Sequence, residues 1–253
     1  MQRAQETAPK KKFPMIDYEK ERERIHREKG AYFAEFIGSF FINFTMHSMN
    51  RTTSSAYTPF VIGSSFFLAV FLSYRISGAH LNAAVTFATW FQNRGTEDYT
   101  KYLYYVLFQV LGGLAAGFLI AFMGFPLILP DHNYDATISE GASMMAFFTF
   151  FLCLIYLHIN DPAKPKTDAV VAGIVIGSTV LLISMTLGPA TGGIINPSVG
   201  LSVGICRMIF VATESSNLLY VWILSPFVGA FFSNYFYQRY LRAHLVKPSE
   251  TTD

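Results

Sequence analysis

Residues 192–202 read "GGIINPSVGLS". They follow an apolar run long enough to cross a bilayer and open a second apolar run too short to do so. Asn is a strong N-cap residue, because its side-chain oxygen accepts from the first free N–H groups of a helix. Proline is favoured at the next position, where its missing N–H is no loss. The stretch therefore predicts a short helix starting at Asn196 in the middle of an apolar region, not a continued span. A second stretch, "SGAHLNAAVTF" at 77–87, repeats the pattern: Asn82 follows a Gly-containing turn and opens a short helix through Ala83 and Ala84.

The rest of the chain suits a membrane. Of its 253 residues, 52% are hydrophobic and 14% charged, where a soluble domain carries about 25% charged residues. Nine of the nineteen Lys and Arg lie before residue 30. This distribution describes an integral membrane protein with a charged tail at 1–30. A net charge of +2 gives no ground for a nucleic-acid partner. Cys153 and Cys206 sit in apolar segments and read as small buried hydrophobes. There is no Cys/His metal spacing, so no metal or cofactor is expected. No P-loop, nucleophile elbow or catalytic His cluster points to an enzyme. The first apolar run starts only near Ala31, which does not fit a cleavable secretory signal. Six acids among the first thirty residues do not fit a plain mitochondrial presequence. "MIDYEKERERIHREK" suits an exposed helix, with Glu19/Arg22, Glu21/Arg24 and Glu23/Arg27 at helical spacing.

Six segments approach the ~20 residues that a spanning helix needs: about 31–49, 58–76, 101–123, 139–160, 168–188 and 218–240. Two are shorter, 82–92 and 196–211. A half-helix sits at membrane depth only where its open end is buried in protein or lines a wet cavity. Basic residues place both termini on one side, the cytosolic side or its equivalent such as a matrix. Arg94, Lys101, Lys164, Lys166, Arg239, Arg242 and Lys247 lie on that side, and Arg51 nearly alone on the other. Each half runs span, span, short segment, span, giving repeats at about 31–123 and 139–240. Three spans per half invert the second copy relative to the first. The expected fold is an all-α membrane protein of six transmembrane helices plus two re-entrant half-helices, with tails at 1–30 and 241–253. In inverted repeats, paired interrupted segments point to the transport site. Gly113/Gly117 and Gly173/Gly177 offer small-residue spacing for close helix crossings within the protomer. Trp90 and Trp222 are candidate interfacial anchors, and "NRT" at 50–52 is a glycosylation sequon.

If the half-helices enter from opposite faces, their N-termini meet, each carrying about half a positive elementary charge. Facing positive ends disfavour a cation or a travelling proton. The amides of Asn82 and Asn196 still donate hydrogen bonds to a passing neutral hydroxyl or water.

From about residue 31 to 240 the chain resembles the aquaporin and glyceroporin family (major intrinsic proteins). The resemblance rests on "AEFIGSF" at 34–40, "SGAHLNAAVTF" at 77–87, "QVLGG" at 109–113, Glu140, "TGGIINPSVG" at 191–200 and "WILSPFVGAFF" at 222–232. It implies a pore in each protomer, a homotetramer in a lipid bilayer, and water, glycerol or other small neutral solutes as substrates. The family's two Asn-Pro-Ala motifs fall on Asn82-Ala83-Ala84 and Asn196-Pro197-Ser198. Ala83 stands for the first proline and Ser198 for the second alanine. Val199 stands where the family has an arginine that narrows the outer pore and adds charge. The family pattern puts the other constriction positions on Ile62, Ser184 and Gly193, making a wide, apolar, uncharged set. Proton exclusion then rests on the half-helix dipoles alone. The same likeness gives Glu35 and Glu140 the task of accepting hydrogen bonds from the half-helix loops, and gives His80 a loop-bracing place.

The leading expectation is a passive channel for water and small neutral solutes of the glycerol or urea type. The alternative is a degenerate, non-conducting homologue serving as a structural subunit among foreign subunits of a larger membrane complex, such as a mitochondrial respiratory assembly. The altered motifs, twenty-five Phe and the charged tail motivate it. The host membrane is the plasma membrane or an organelle membrane, the mitochondrial inner membrane included.

Overall fold

A computed structural model describes residues 18–49, 55–125, 127, 137–210 and 219–245. The sequon at 50–52 and Lys247 lie outside the described residues. Among the described residues the structure is almost wholly helical. The long helices are α1 (Tyr18–Ser48), α2 (Thr58–Ser77), α4 (Tyr99–Phe122), α5 (Ile138–Ile159), α6 (Ala169–Thr191) and α8 (Leu219–Phe236). The short ones are α3 (Ala83–Asn93) and α7 (Pro197–Phe210). Side-chain caps start several of them: Asp98 accepts from Thr100 N–H, Asp168 from Val170 N–H, and Thr137 from Glu140 N–H. After α8 the chain widens into a π-helical turn, Tyr237–Leu241.

α2, α4, α5, α6 and the stretch Leu219–His244 are long and apolar enough to cross a membrane. The sixth span is the later part of α1, whose hydropathy is lowered by Glu35, Ser39, Asn43 and His47. These four recur every fourth residue, so they share one helix face, and all four are buried. The opposite kind of face looks outward: Leu103, Leu107 and Leu111 on α4, Phe147 and Phe151 on α5, and Leu68 and Leu72 on α2 are exposed. Apolar-outside, polar-inside is the arrangement a lipid solvent demands.

α1 does not break at the expected tail boundary near residue 30. It runs unbroken from Tyr18, with an Arg24–Glu28 pair at 3.5 Å on its exposed part. Gly30 does not stop it, since one helical glycine costs only about 1 kcal/mol.

The halves repeat each other in their packing. α1 lies along α4 in the first half, and α5 along α8 in the second. α2 packs on α6 across the halves, while α3 lies on α8 and α7 on α4. Two glycine pairs fix the register. A β-carbon on Gly112 would overlap the Phe36 carbonyl oxygen and lie 2.9 Å from Phe40 N. One on Gly229 would overlap the Ala146 carbonyl oxygen and lie 2.8 Å from Phe150 N. Phe36 and Ala146 are thus equivalent positions. Between the halves, β-carbons on Gly63 and Gly177 would come to 3.0 and 2.9 Å of each other's carbonyl oxygens. The chain is therefore a six-span, two-half-helix bundle built from inverted repeats.

Candidate functional site

The loop before α3 is wound by three residues with left-handed φ, Gly78 (89°), Ala79 (53°) and Leu81 (48°). Non-glycine residues rarely adopt that conformation; each costs on the order of 1–3 kcal/mol and persists only where its surroundings enforce it. Here Glu35 enforces it. Its Oε1 accepts from His80 N–H at 2.9 Å and from Ser77 Oγ at 2.6 Å, and its Oε2 from Leu81 N–H at 2.7 Å. The carbonyls of Ser77 and Gly78 accept from the hydroxyls of Tyr105 and Tyr156 at 3.0 and 2.6 Å. His80 is buried, with Nδ1 3.2 Å from Thr86 Oγ1 and its ring among Tyr102, Tyr105 and Tyr156.

The loop before α7 turns through Gly192 (φ 75°) and Gly193 (φ 73°). Gly192 N–H closes α6 on the Gly188 carbonyl at 2.9 Å. Each loop ends on a capping Asn. Asn82 Oδ1 accepts from Ala84 N–H at 2.8 Å, and Asn196 Oδ1 from Ser198 N–H at 3.0 Å. Each Asn also reaches the other loop. Asn82 Nδ2 donates to the Ile195 carbonyl at 3.2 Å, and Asn196 Nδ2 to the Leu81 carbonyl at 2.7 Å. The N-termini of α3 and α7 therefore meet between the two halves, with their positive ends together.

Ile62, Ser184, Gly193 and Val199 come together around one small cavity of about 50 Å³, beside Asn196. Ile42, Met46 and Phe66 complete much of its wall, and none of its lining residues is charged. That volume is room for a few water-sized molecules, each needing about 10–15 Å³ of such space. Phe66 is the one buried phenylalanine among the described residues. The other described phenylalanines are exposed or half-buried, so most of the ring bulk is not stacked inside the bundle.

Glu140 departs from its expected role. It is exposed in the first turn of α5 and closes a capping box, accepting from Thr137 N–H at 2.8 Å and Thr137 Oγ1 at 2.7 Å. The physical reason is register. With Phe36 and Ala146 equivalent, the position matching Glu35 is Met145, buried in the core cluster that includes Ile194 and Ile195. Among the described residues no acid bonds to the second loop. Gln109, by contrast, has a part that its place in "QVLGG" did not reveal. Fully buried, it donates to Glu35 Oε2 at 2.8 Å and Thr86 Oγ1 at 3.0 Å. The available clue was a lone amide in an otherwise apolar span.

Six spans, two half-helices capped end to end by Asn, and inverted repeats define a membrane channel architecture. The family model for Major intrinsic protein matches residues 23–237. The chain belongs to the major intrinsic protein family, whose members are membrane channels and not enzymes. Nodulin-26 of Glycine max is 32% identical over 234 residues, covering 88% of this chain and 79% of that protein. Aquaporin NIP3-1 of Oryza sativa subsp. japonica is 32% identical over 208 residues, 78% of this chain. The chain spans only 63% of that rice protein's length. The solved aquaglyceroporin of Plasmodium falciparum shares the fold, with a TM-score of 0.75 over 86% of this chain and 98% of that one, at 22% identity.

Proposed function

We propose that the protein passes water and small neutral solutes of the glycerol or urea type passively, between its two Asn-capped half-helices. The observation that carries this reading is the uncharged cavity beside Asn196, walled by Ile62, Ser184, Gly193 and Val199. An amide nitrogen has two N–H donors. Each Asn uses one on the opposite loop's carbonyl and keeps one for a passing oxygen. Val199 brings no charge and no donor, so the side-chain donors left in the wall are the Ser65 and Ser184 hydroxyls and the Asn196 amide, which serve a polyol as well as water. Cations meet two helix N-termini, each with about half a positive charge, and protons meet the same barrier. Glu35 and His80 brace the first loop.

The same reading places both termini on the side rich in Lys and Arg, treats 31–240 as the channel domain and 1–30 and 241–253 as its tails, and carries a homotetramer with it. Stopped-flow light scattering on proteoliposomes tests it. Water and glycerol fluxes well above those of empty liposomes are expected. Fluxes no higher than empty liposomes would favour the structural-subunit alternative, as would purification only together with foreign subunits.

A further inference from the structure

The two halves support their half-helix loops by different means. In the first, the buried carboxyl of Glu35 accepts from Ser77, His80, Leu81 and Gln109. In the second, the equivalent residue is Met145, which is buried and has no strong hydrogen-bonding group. The second loop is instead tied to the first half. Besides the two Asn crossings, Ser198 Oγ donates to Gln109 Oε1 at 2.9 Å. The amide of Gln109 has little choice of orientation. Its nitrogen must face Glu35 Oε2, which already accepts from Leu81 N–H, so its oxygen turns to Ser198. Ser202 continues the seam, its Oγ within hydrogen-bonding distance of the Ser198 carbonyl (2.8 Å) and the Val110 carbonyl on α4 (3.1 Å). Ala83 adds to it. Where a proline would have no N–H, Ala83 donates to Asn196 Oδ1 at 3.4 Å.

We propose that Gln109 and Ser198 are positioning residues that suspend the second half-helix from the Glu35 network of the first, and thereby fix where Val199 stands in the pore. Both departures from the Asn-Pro-Ala pattern then have a structural use: the Ser198 hydroxyl and the Ala83 N–H each make a bond that the standard residues cannot. A second-loop acid becomes dispensable, which accounts for an apolar Met145. The part of the proposal that concerns Val199 and permeation rests on the channel reading; the suspension itself does not.

The test is amide hydrogen exchange on the full-length protein in lipid nanodiscs, paired with the glycerol-to-water permeability ratio in proteoliposomes. In Ser198→Ala, exchange across residues 192–200 is expected to rise about fivefold, the effect of one lost buried hydrogen bond, while residues 78–81 keep native exchange on Glu35. Gln109→Met is expected to raise exchange in both loops. The permeability ratio should shift in Ser198→Ala, which a hydroxyl that only fills space would not cause. Exchange is read whether or not solute flows. Raised exchange in a silent protein therefore supports the suspension and counts against the channel reading alone. Native exchange at 192–200 in Ser198→Ala overturns the suspension even if the protein conducts.

Discussion

Asn196 donates its side-chain N–H to the carbonyl of Leu81, 2.7 Å away and 115 positions earlier in the chain. With the reciprocal bond from Asn82 to Ile195, it joins two loops that each end in a helix cap. One side chain thus caps its own helix and accepts from Ala83 N–H through oxygen, and holds the opposite loop through nitrogen.

Removing that side chain removes both services. Asn196→Ala is expected to cost about 2 kcal/mol, roughly 1 from the cap and 1 from the buried hydrogen bond. Asn196→Asp keeps the capping oxygen but loses the donor and puts a negative charge beside two positive helix ends. It is expected to admit cations that the native protein excludes. Thermal unfolding in detergent reads the first effect, and a potential-driven cation leak in liposomes reads the second. A stable, cation-tight Asn196→Asp would contradict the electrostatic account of the waist.

The two acids expected to act alike should behave unlike each other. Glu35→Ala strands donors from Ser77, His80, Leu81 and Gln109, and each buried unsatisfied group costs about 1–3 kcal/mol. Loss of the folded protein at ordinary expression temperature is expected. Glu140→Ala loses only an exposed capping partner and should express and migrate as native protein does. Comparable yields of the two variants on size-exclusion chromatography would refute the assignment.

Much of this architecture could be read in the sequence, because membrane spans and helix caps are local signals. The spans at 58–76, 139–160 and 218–240 lie close to α2, α5 and the α8 stretch, and Asn82 and Asn196 announce their half-helices by capping chemistry. The register between halves was not local. The family likeness pairs Glu140 with Glu35, but the match to Glu35 is set by where Gly112 and Gly229 press on α1 and α5. Gln109 escaped for a similar reason: its partners are 74, 23 and 89 positions away.

Those glycine contacts make their own prediction. Gly112→Ala and Gly229→Ala force a methyl onto backbone carbonyls of α1 and α5, where overpacking costs typically about 1–3 kcal/mol. Gly188→Ala meets nothing nearer than Ser184 Oγ at 4.0 Å. Melting temperatures in detergent should fall for the first two and hold for the third.

A pH dependence follows from two loop acids outside the spans. Asp98 is held below the usual carboxylate range because it accepts from the backbone and side chain of Thr100. Asp168 is held there by Val170 N–H and the neighbouring Arg75 guanidinium. Their folded values lie under their unfolded ones, so the stabilisation is full above an unfolded value of about 4 and fades as pH falls through the lowered values. Thermal scans from pH 6 down to pH 3 should show the native protein losing more stability than Asp98→Asn, which keeps a neutral capping oxygen. Parallel curves would contradict the cap.

The most direct measurement of the central proposal, that polyols pass an uncharged constriction, is the glycerol-to-water permeability ratio of the native protein against Val199→Arg in proteoliposomes of matched protein content. An arginine at 199 puts a bulky, five-donor cation into a cavity of about 50 Å³. The account predicts that glycerol flux drops at least about tenfold, near 1.4 kcal/mol in the barrier, with water flux reduced much less. Equal loss of both fluxes, or no change in either, would contradict it.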